Sequence, residues 1–591
     1  MMKKIRFVYS LLSAALLLIL LSLSPALDQA STGGDDHHQF QWVDPAHARR
    51  GLMTASAQQR ALIVTPQAID VEHYRLQIRL FPPTRRIAGV VTIEGQSVDA
   101  ITVINIDMQS NLAVDSVQFN GADRVVERAG DKIVLNFPES LPAGFNFTLV
   151  VAYHGIAVTS GVLGGGMLIS THGSNVPVIA TLSEPYAAPT WWPCIDNPAD
   201  KTTAEIEATV PDGYIVASNG LLQGTQPNAD RTVTYFWREN YPIANYLIAV
   251  TATNFARFED TYTALDGVTT MPLVYYVYPE HLTQAQQTFS VTRRAMEIFA
   301  PLFGEYPFLA EKYGMVEFPW CGGMEHQTLT SLGSCIVGNA QSTGRTLVHE
   351  LSHQWWGDWV TMKTWHDIWL NEGFATYSEV LFFERFLPIA PGELMDLSYD
   401  DHQVFGRLGG TVYAEDLTNP WDDSGAIYTK GGWVLHMLRH VLGDERFFAA
   451  LQDYGRRFAS GNAATGYFQT VCEDHYGASL DWFFQQWVYA PGRPIYQASS
   501  TISPADASGN YTVTLTLKQQ QPQSIPGRSP GLESVYIMPI DVTIHYADGS
   551  QETRVVWNDA RQQQFSFTVS QPPVRVGVDE GHWVLRELWM N

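Results

Sequence analysis

HELSHQWWGDWVTMKTWHDIWLNEGFATYSE, residues 349–379, begins with two imidazoles four positions apart and a carboxylate beside the first. On a helix, His349 and His353 stand one turn apart on the same face, close enough to grip one ion. Eighteen residues separate His353 from Glu372, which opens a second segment of helical character, GFATYSEVLFFERFL, able to cross back over the first. Two imidazoles, one carboxylate and a position open to water make the ligand pattern of a catalytic zinc. An HExxH also arises by chance, and a helical histidine pair can be satisfied by core hydrogen bonds. The added carboxylate at Glu372 weighs for the metal. Glu379, seven residues further on the same face, is the expected acceptor for the second nitrogen of one imidazole, with a solvated helix face as the alternative.

One zinc per chain, held by His349, His353 and Glu372, would polarise a carbonyl and bring the pKa of water near neutrality. Glu350, next to a ligand, is then the general base and later the donor to the leaving amine. An oxyanion donor is also needed. GAIYTKGGWVLHML, residues 425–438, offers Tyr428, but spacing alone does not single it out from 26 tyrosines.

The chain has 591 residues, more than one ordinary core accommodates, so two to four domains are expected. With 45% apolar and 16% charged residues it has the composition of a folded globular protein. A net charge of −24 argues against nucleic acid and anionic membrane as partners. Lys3, Lys4 and Arg6 precede the apolar run FVYSLLSAALLLILLSLS, and SPALDQA follows with small residues suited to cleavage. Residues 1–30 therefore read as an export signal, or as a membrane anchor if the leader stays uncleaved. The location expected is extracytoplasmic: secreted, periplasmic or at the cell surface. Cys194, Cys321, Cys335 and Cys472 allow three pairings, of which Cys321 with Cys335, in one short segment, is preferred.

Residues 31–60 are polar and irregular and read as a linker. In VEHYRLQIRL, Tyr74, Leu76, Ile78 and Leu80 alternate with polar residues, the period of a half-buried strand. Similar runs continue, so residues 61–258 are expected to form an antiparallel β domain, interrupted by the Pro- and aromatic-rich TLSEPYAAPTWWPCIDNPADK. From Val291, Ala295, Ile298 and Leu302 onward the period becomes helical, giving a mainly α catalytic domain over 259–495. Alternation returns at Tyr511, Val513, Leu515 and Leu517, and at Ile540, Val542 and Ile544, which marks a β-sandwich over 496–591. The fold class expected is multidomain α+β.

HELSHQWWGDW with WLNEGFA, GGMEH, YTKGG and TLSEPYAAPTWWPCIDNPADK together resemble the aminopeptidase N family of gluzincin zinc exopeptidases, in the family's order, over residues 70–495. The resemblance implies a saddle-like N-terminal domain, a thermolysin-like catalytic domain and a closing β-sandwich. It implies hydrolysis of the amino-terminal residue of peptides that have a free amino terminus. Glu325 of GGMEH and Glu184 of TLSEP correspond to carboxylates for the substrate α-amine, and Tyr428 to the oxyanion donor. Gly322 and Gly323 are expected to let main chain approach the substrate and bond to it as an added strand. The common family form is GAMEN, and here Gly323 replaces the Ala and His326 the Asn. Two rival readings are an epoxide hydrolase like the leukotriene hydrolases and a non-catalytic scaffold, although no ligand or base is missing.

Overall fold

The computed structural model describes residues 68–590, apart from 162, 338–339, 386, 388, 400–409 and 523–534. The expected leader (1–30), the expected linker (31–60) and residues 61–67 at the start of the expected β domain lie outside the described residues. No helix among the described residues is long and apolar enough to cross a membrane.

The first strands follow the alternation in the sequence. β1 (Ile69–Phe81) buries Tyr74, Leu76, Ile78 and Leu80 and turns the residues between them outward. It pairs antiparallel with β2 (Arg86–Ser97), Ile78 facing Gly89, and β2 pairs antiparallel with β3 (Asn146–Ile156). A second sheet contains β4 (Val176–Leu182), which ends two residues before Glu184. β5 (Thr202–Pro211) and β6 (Thr232–Ile243) complete the centre of an eight-stranded sheet whose inner order is β6-β5-β1-β2-β3. One expectation needs correction here: the sheet is mixed, because β1 and β5 run parallel, Leu76 beside Ile206. Alternation specifies which face is buried, and both pairing directions satisfy that equally.

The chain then enters a five-stranded sheet that includes β7 (Thr270–Val277), and α1 (Val291–Phe303) follows with Val291, Ala295 and Ile298 buried. The same sheet continues with β8 (Tyr313–Phe318), β9 (Gly323–Met324) and β10 (Leu329–Gly333), and among the described residues β9 forms its edge, paired only with β10. α2 (Ala340–Ser352) carries His349, and α3 (Trp369–Phe383), buried at all of its 15 positions, carries Glu372 in its first turn. A carboxylate there is favoured by the positive end of the helix dipole. A π-helical turn, Gly425–Lys430, runs into α4 (Gly431–Leu442). Side chains at the α3–α4 crossing would collide: a Cβ on Gly373 would lie 3.0 Å from the Gly431 backbone. Two glycines therefore allow the contact that brings the π turn against Glu372.

Two closing sheets of four and three strands contain β11 (Ile495–Ile502), β12 (Tyr511–Gln519) and β13 (Met538–Tyr546), whose Val513, Leu515, Leu517, Ile540, Val542 and Ile544 are buried. They seat on α4 through Trp583, which stacks on His436 at 4.7 Å and on His440 at 4.9 Å between ring centres. The architecture is thus β-rich, then helical, then β-rich.

Candidate active site

His349 lies in the last turn of α2 and His353 on the residue that follows the helix, their rings 4.9 Å apart. Glu372 reaches both from α3: its Oε2 is 3.0 Å from His349 Nε2 and 3.4 Å from His353 Nε2. The outer nitrogens are already engaged. Glu379 Oε1 is 2.9 Å from His349 Nδ1, and the Trp356 carbonyl is 3.0 Å from His353 Nδ1. Those partners aim both Nε2 atoms inward, so that His349, His353 and Glu372 each offer one donor atom, all within 4.8 Å of one another. Two borderline nitrogens and one oxygen at that separation suit zinc.

Burial opposes the charge on Glu372, but hydrogen bonds from His349 and His353 hold its carboxyl below the usual range. Glu350 is different. Burial pushes it up to about 8, against the pull of His349 and His353. One of its oxygens lies within 4.8 Å of donor atoms of both Glu325 and His353.

Tyr428 donates its hydroxyl to Glu372 Oε1 at 2.6 Å and accepts from Trp421 Nε1 at 3.1 Å. Burial, then the negative charge of Glu372, raises the phenol well above its ordinary value, so it keeps its proton for donation.

Glu184 and Glu325 are both buried, and each has an Oε1 with no hydrogen-bond partner among the described residues. Burial raises both carboxyls, and each is raised further by neighbouring carboxylates: Glu325, Glu372 and Glu350 for Glu184, and Glu372 for Glu325. The segment bearing Glu325 is fixed from several sides. Gln354, next to His353, donates to the Glu325 carbonyl at 3.3 Å and accepts from the Thr328 amide at 2.9 Å. From the N-terminal domain, Asn219 donates to the Gln327 carbonyl at 2.6 Å, and the Gly220 amide donates to Thr328 Oγ1 at 2.8 Å. Lys201, at the end of the TLSEP loop, donates to the Asp358 carbonyl at 2.6 Å. These bonds join the N-terminal domain to the segment of Glu325 and to Asp358 beyond the histidines.

The glycine pair does something other than expected. A Cβ on Gly323 would fall 2.0 Å from Glu350 Oε1, and one on Gly322 would fall 2.0 Å from the Trp320 ring. The space above both glycines is filled by this chain's own side chains, so their first effect is to admit Glu350 and Trp320. β9 is nevertheless an edge strand, so an extended peptide can add to it. His326 is buried, with Nδ1 2.8 Å from Ser331 Oγ, and burial pushes its pKa down to about 3, which leaves it neutral.

Residues 287–487 match the peptidase family M1 domain and residues 70–247 the peptidase M1 N-terminal domain, together more than half of the chain. The chain belongs to the peptidase M1 family. Among M1 relatives, the probable aminopeptidase 1 of Saccharolobus solfataricus is 25% identical over 65% of this chain and 49% of its own length. Aminopeptidase M1-B of Oryza sativa subsp. japonica is 27% identical over 83% of this chain and 56% of its own. The chain thus spans about half the length of these curated relatives. A solved M1 zinc metallopeptidase from Deinococcus radiodurans, a variant with a Tyr-Ser-Ala substrate bound, is 25% identical with a TM-score of 0.62, covering 71% of this chain and 94% of that one. Aminopeptidase A of Legionella pneumophila shares the fold at a TM-score of 0.73 and 18% identity, over 88% of this chain and 60% of that one.

The structure brings together His349, Glu350, His353, Glu372, Glu379, Glu325, Glu184 and Tyr428. Sequence reasoning missed Arg345, Gln354 and Trp421. Arg345, whose guanidinium bonds Glu379, stands one turn before His349 on α2, a spacing that could have exposed it. Trp421 carries no such signal, being one of 17 tryptophans.

Proposed function

We propose that this chain is an exported zinc aminopeptidase that removes the amino-terminal residue from peptides with a free amino terminus. The observation that carries this reading is the pair of buried, unpartnered carboxylate oxygens on Glu184 and Glu325 beside the His349–His353–Glu372 cluster. An unsatisfied buried carboxylate is costly, and a substrate ammonium supplies both the missing donors and the opposite charge. An amine held there sets the first peptide bond over the cluster, which favours exopeptidase over endopeptidase cutting.

When bound by His349, His353 and Glu372, zinc supplies Lewis acidity to the scissile carbonyl and acidifies water near neutral pH. Glu350, with an oxygen within 4.8 Å of donor atoms of His353 and Glu325, takes a proton from the attacking water and returns it to the leaving amine. Tyr428 donates its hydroxyl to the oxygen on which charge develops. The backbone of β9 holds the peptide extended. A panel of aminoacyl chromogenic substrates tests the reading: turnover that chelator abolishes and zinc restores is expected, and a flat response of zinc-loaded protein to every substrate would favour a scaffold.

Export is supported by the basic-then-apolar leader and by the disulfide between Cys321 and Cys335, a bond that persists in oxidising compartments. Edman sequencing of the protein from intact cells should begin after the SPALDQA stretch. An intact Met1 on membrane-bound protein would identify an anchor instead.

A further inference from the structure

We propose that Trp421 is a positioning residue for Tyr428, its indole N–H fixing the direction in which the tyrosine hydroxyl donates. This rests on the proposed role of Tyr428 as oxyanion donor. An indole has one N–H and no acceptor, so the 3.1 Å contact between Trp421 Nε1 and Tyr428 Oη has a single sense: the tryptophan donates and the phenol accepts. A phenol has one hydrogen to give. With its oxygen facing an N–H on the Trp421 side, that hydrogen is turned the other way and is donated to Glu372 Oε1, 2.6 Å from the phenol oxygen and beside the histidine cluster. A donor to the phenol oxygen also strengthens the bond the phenol itself donates, because hydrogen bonds in series polarise one another.

The indole is held in place by other aromatic rings. Trp421 packs on Trp365 at 5.7 Å between ring centres, and Trp365 packs on Tyr246 at 5.2 Å and on Tyr186 at 5.8 Å. Tyr246 accepts a hydrogen bond from Asn371, the residue before Glu372, at 3.2 Å, and Tyr186 donates to the Leu417 carbonyl at 3.0 Å. The buried Trp365 also has an indole N–H, and that one has no hydrogen-bond partner among the described residues. So the wall as a whole is packing, and the N–H of Trp421 is the one that reaches the reacting groups. No bond is made or broken at Trp421, which acts only by orienting another donor.

Trp421→Phe keeps a ring against Trp365 and deletes the N–H. In zinc-loaded protein kcat should fall on the order of tenfold, the effect of one lost hydrogen bond to a catalytic group, with KM within about twofold. The inhibition constant of a phosphinic dipeptide that mimics the tetrahedral state should weaken with kcat, while that of a ground-state dipeptide analogue stays put. Tyr428→Phe and the double variant close a cycle: if Trp421 works through Tyr428, the double variant is no slower than Tyr428→Phe alone. Unchanged kcat and unchanged phosphinate binding in Trp421→Phe would overturn the proposal, and so would fully multiplicative losses in the double variant. Should Trp421→Phe melt early, 3-benzothienylalanine at 421, which has the indole's shape with sulfur in place of N–H, must give the same result. Absence of turnover in the unaltered protein would count against the aminopeptidase reading itself, and the inference would fall with it.

Discussion

Glu350 stands at the crowded centre of the site, in the space a side chain on Gly323 would occupy, with its carboxyl raised to about 8 by burial. Glu350→Gln should retain zinc at one per chain, measured by elemental analysis, while kcat drops on the order of a thousandfold. The same variant reports on stability. Because the folded pKa lies above the ordinary 4.5, Glu350 stabilises the metal-free fold fully below that value and progressively less as pH rises toward 8. Thermal melts of metal-free protein between pH 5 and pH 8 should therefore slope downward more steeply for the unaltered chain than for Glu350→Gln, and parallel slopes would show that Glu350 is not held neutral by its surroundings. At this scale the residues legible in the sequence were those tied by helical spacing, His349 with His353 and Glu372 with Glu379. Trp421 and Gln354 act through tertiary contacts that no local period encodes.

Among the elements, β9 is held by a short ladder. Its ladder to β10 consists of Gly323 opposite Leu332 and Met324 opposite Ser331, extended by one bond from the Gly333 amide to the Gly322 carbonyl. The Cys321–Cys335 disulfide, exposed at both ends, clamps the strand at its start across a separation of 14 residues. A loop of that length stabilises by about 3 kcal/mol in the chain-entropy account. Replacing both cysteines by serine should lower the melting temperature and raise KM more than it lowers kcat, because the strand is the element proposed to hold peptide, whereas His349 and Glu350 lie on α2 and Glu372 on α3. A KM that stays constant would show that peptide placement does not depend on the clamp. Four cysteines permit three arrangements, and the one preferred from the sequence, because both residues lie in one short segment, is the one the structure has. The π turn bearing Tyr428 was not foreseeable, because no local period in GAIYTK distinguishes it from an α-helical turn.

In the whole molecule, the site draws residues from both halves of the chain: Glu184 follows a strand of the N-terminal β domain, and Glu325 with the histidines belongs to the catalytic region. The change of hydrophobic period from two to helical and back made the order of the three parts legible. What stayed hidden is how they dock, since Lys201 on the Asp358 carbonyl and Asn219 on the Gln327 carbonyl join positions more than a hundred residues apart. The C-terminal sandwich docks through Trp583 between two histidines of α4, the helix that continues from Tyr428. Trp583→Ala should cost roughly 2–4 kcal/mol by calorimetry, as expected for a large aromatic in a packed seam. An unchanged melt would place the anchoring elsewhere. The central claim, that Glu184 and Glu325 catch a charged chain end beside a zinc-activated hydrolytic centre, is tested most directly with one peptide in two forms. Zinc-loaded protein is incubated with the free peptide and with its N-acetylated twin, and products are followed by mass spectrometry. Stepwise loss of residues from the free amino end, with the acetylated form intact, is the predicted result; equal cutting of both, or cleavage at internal bonds, would contradict it.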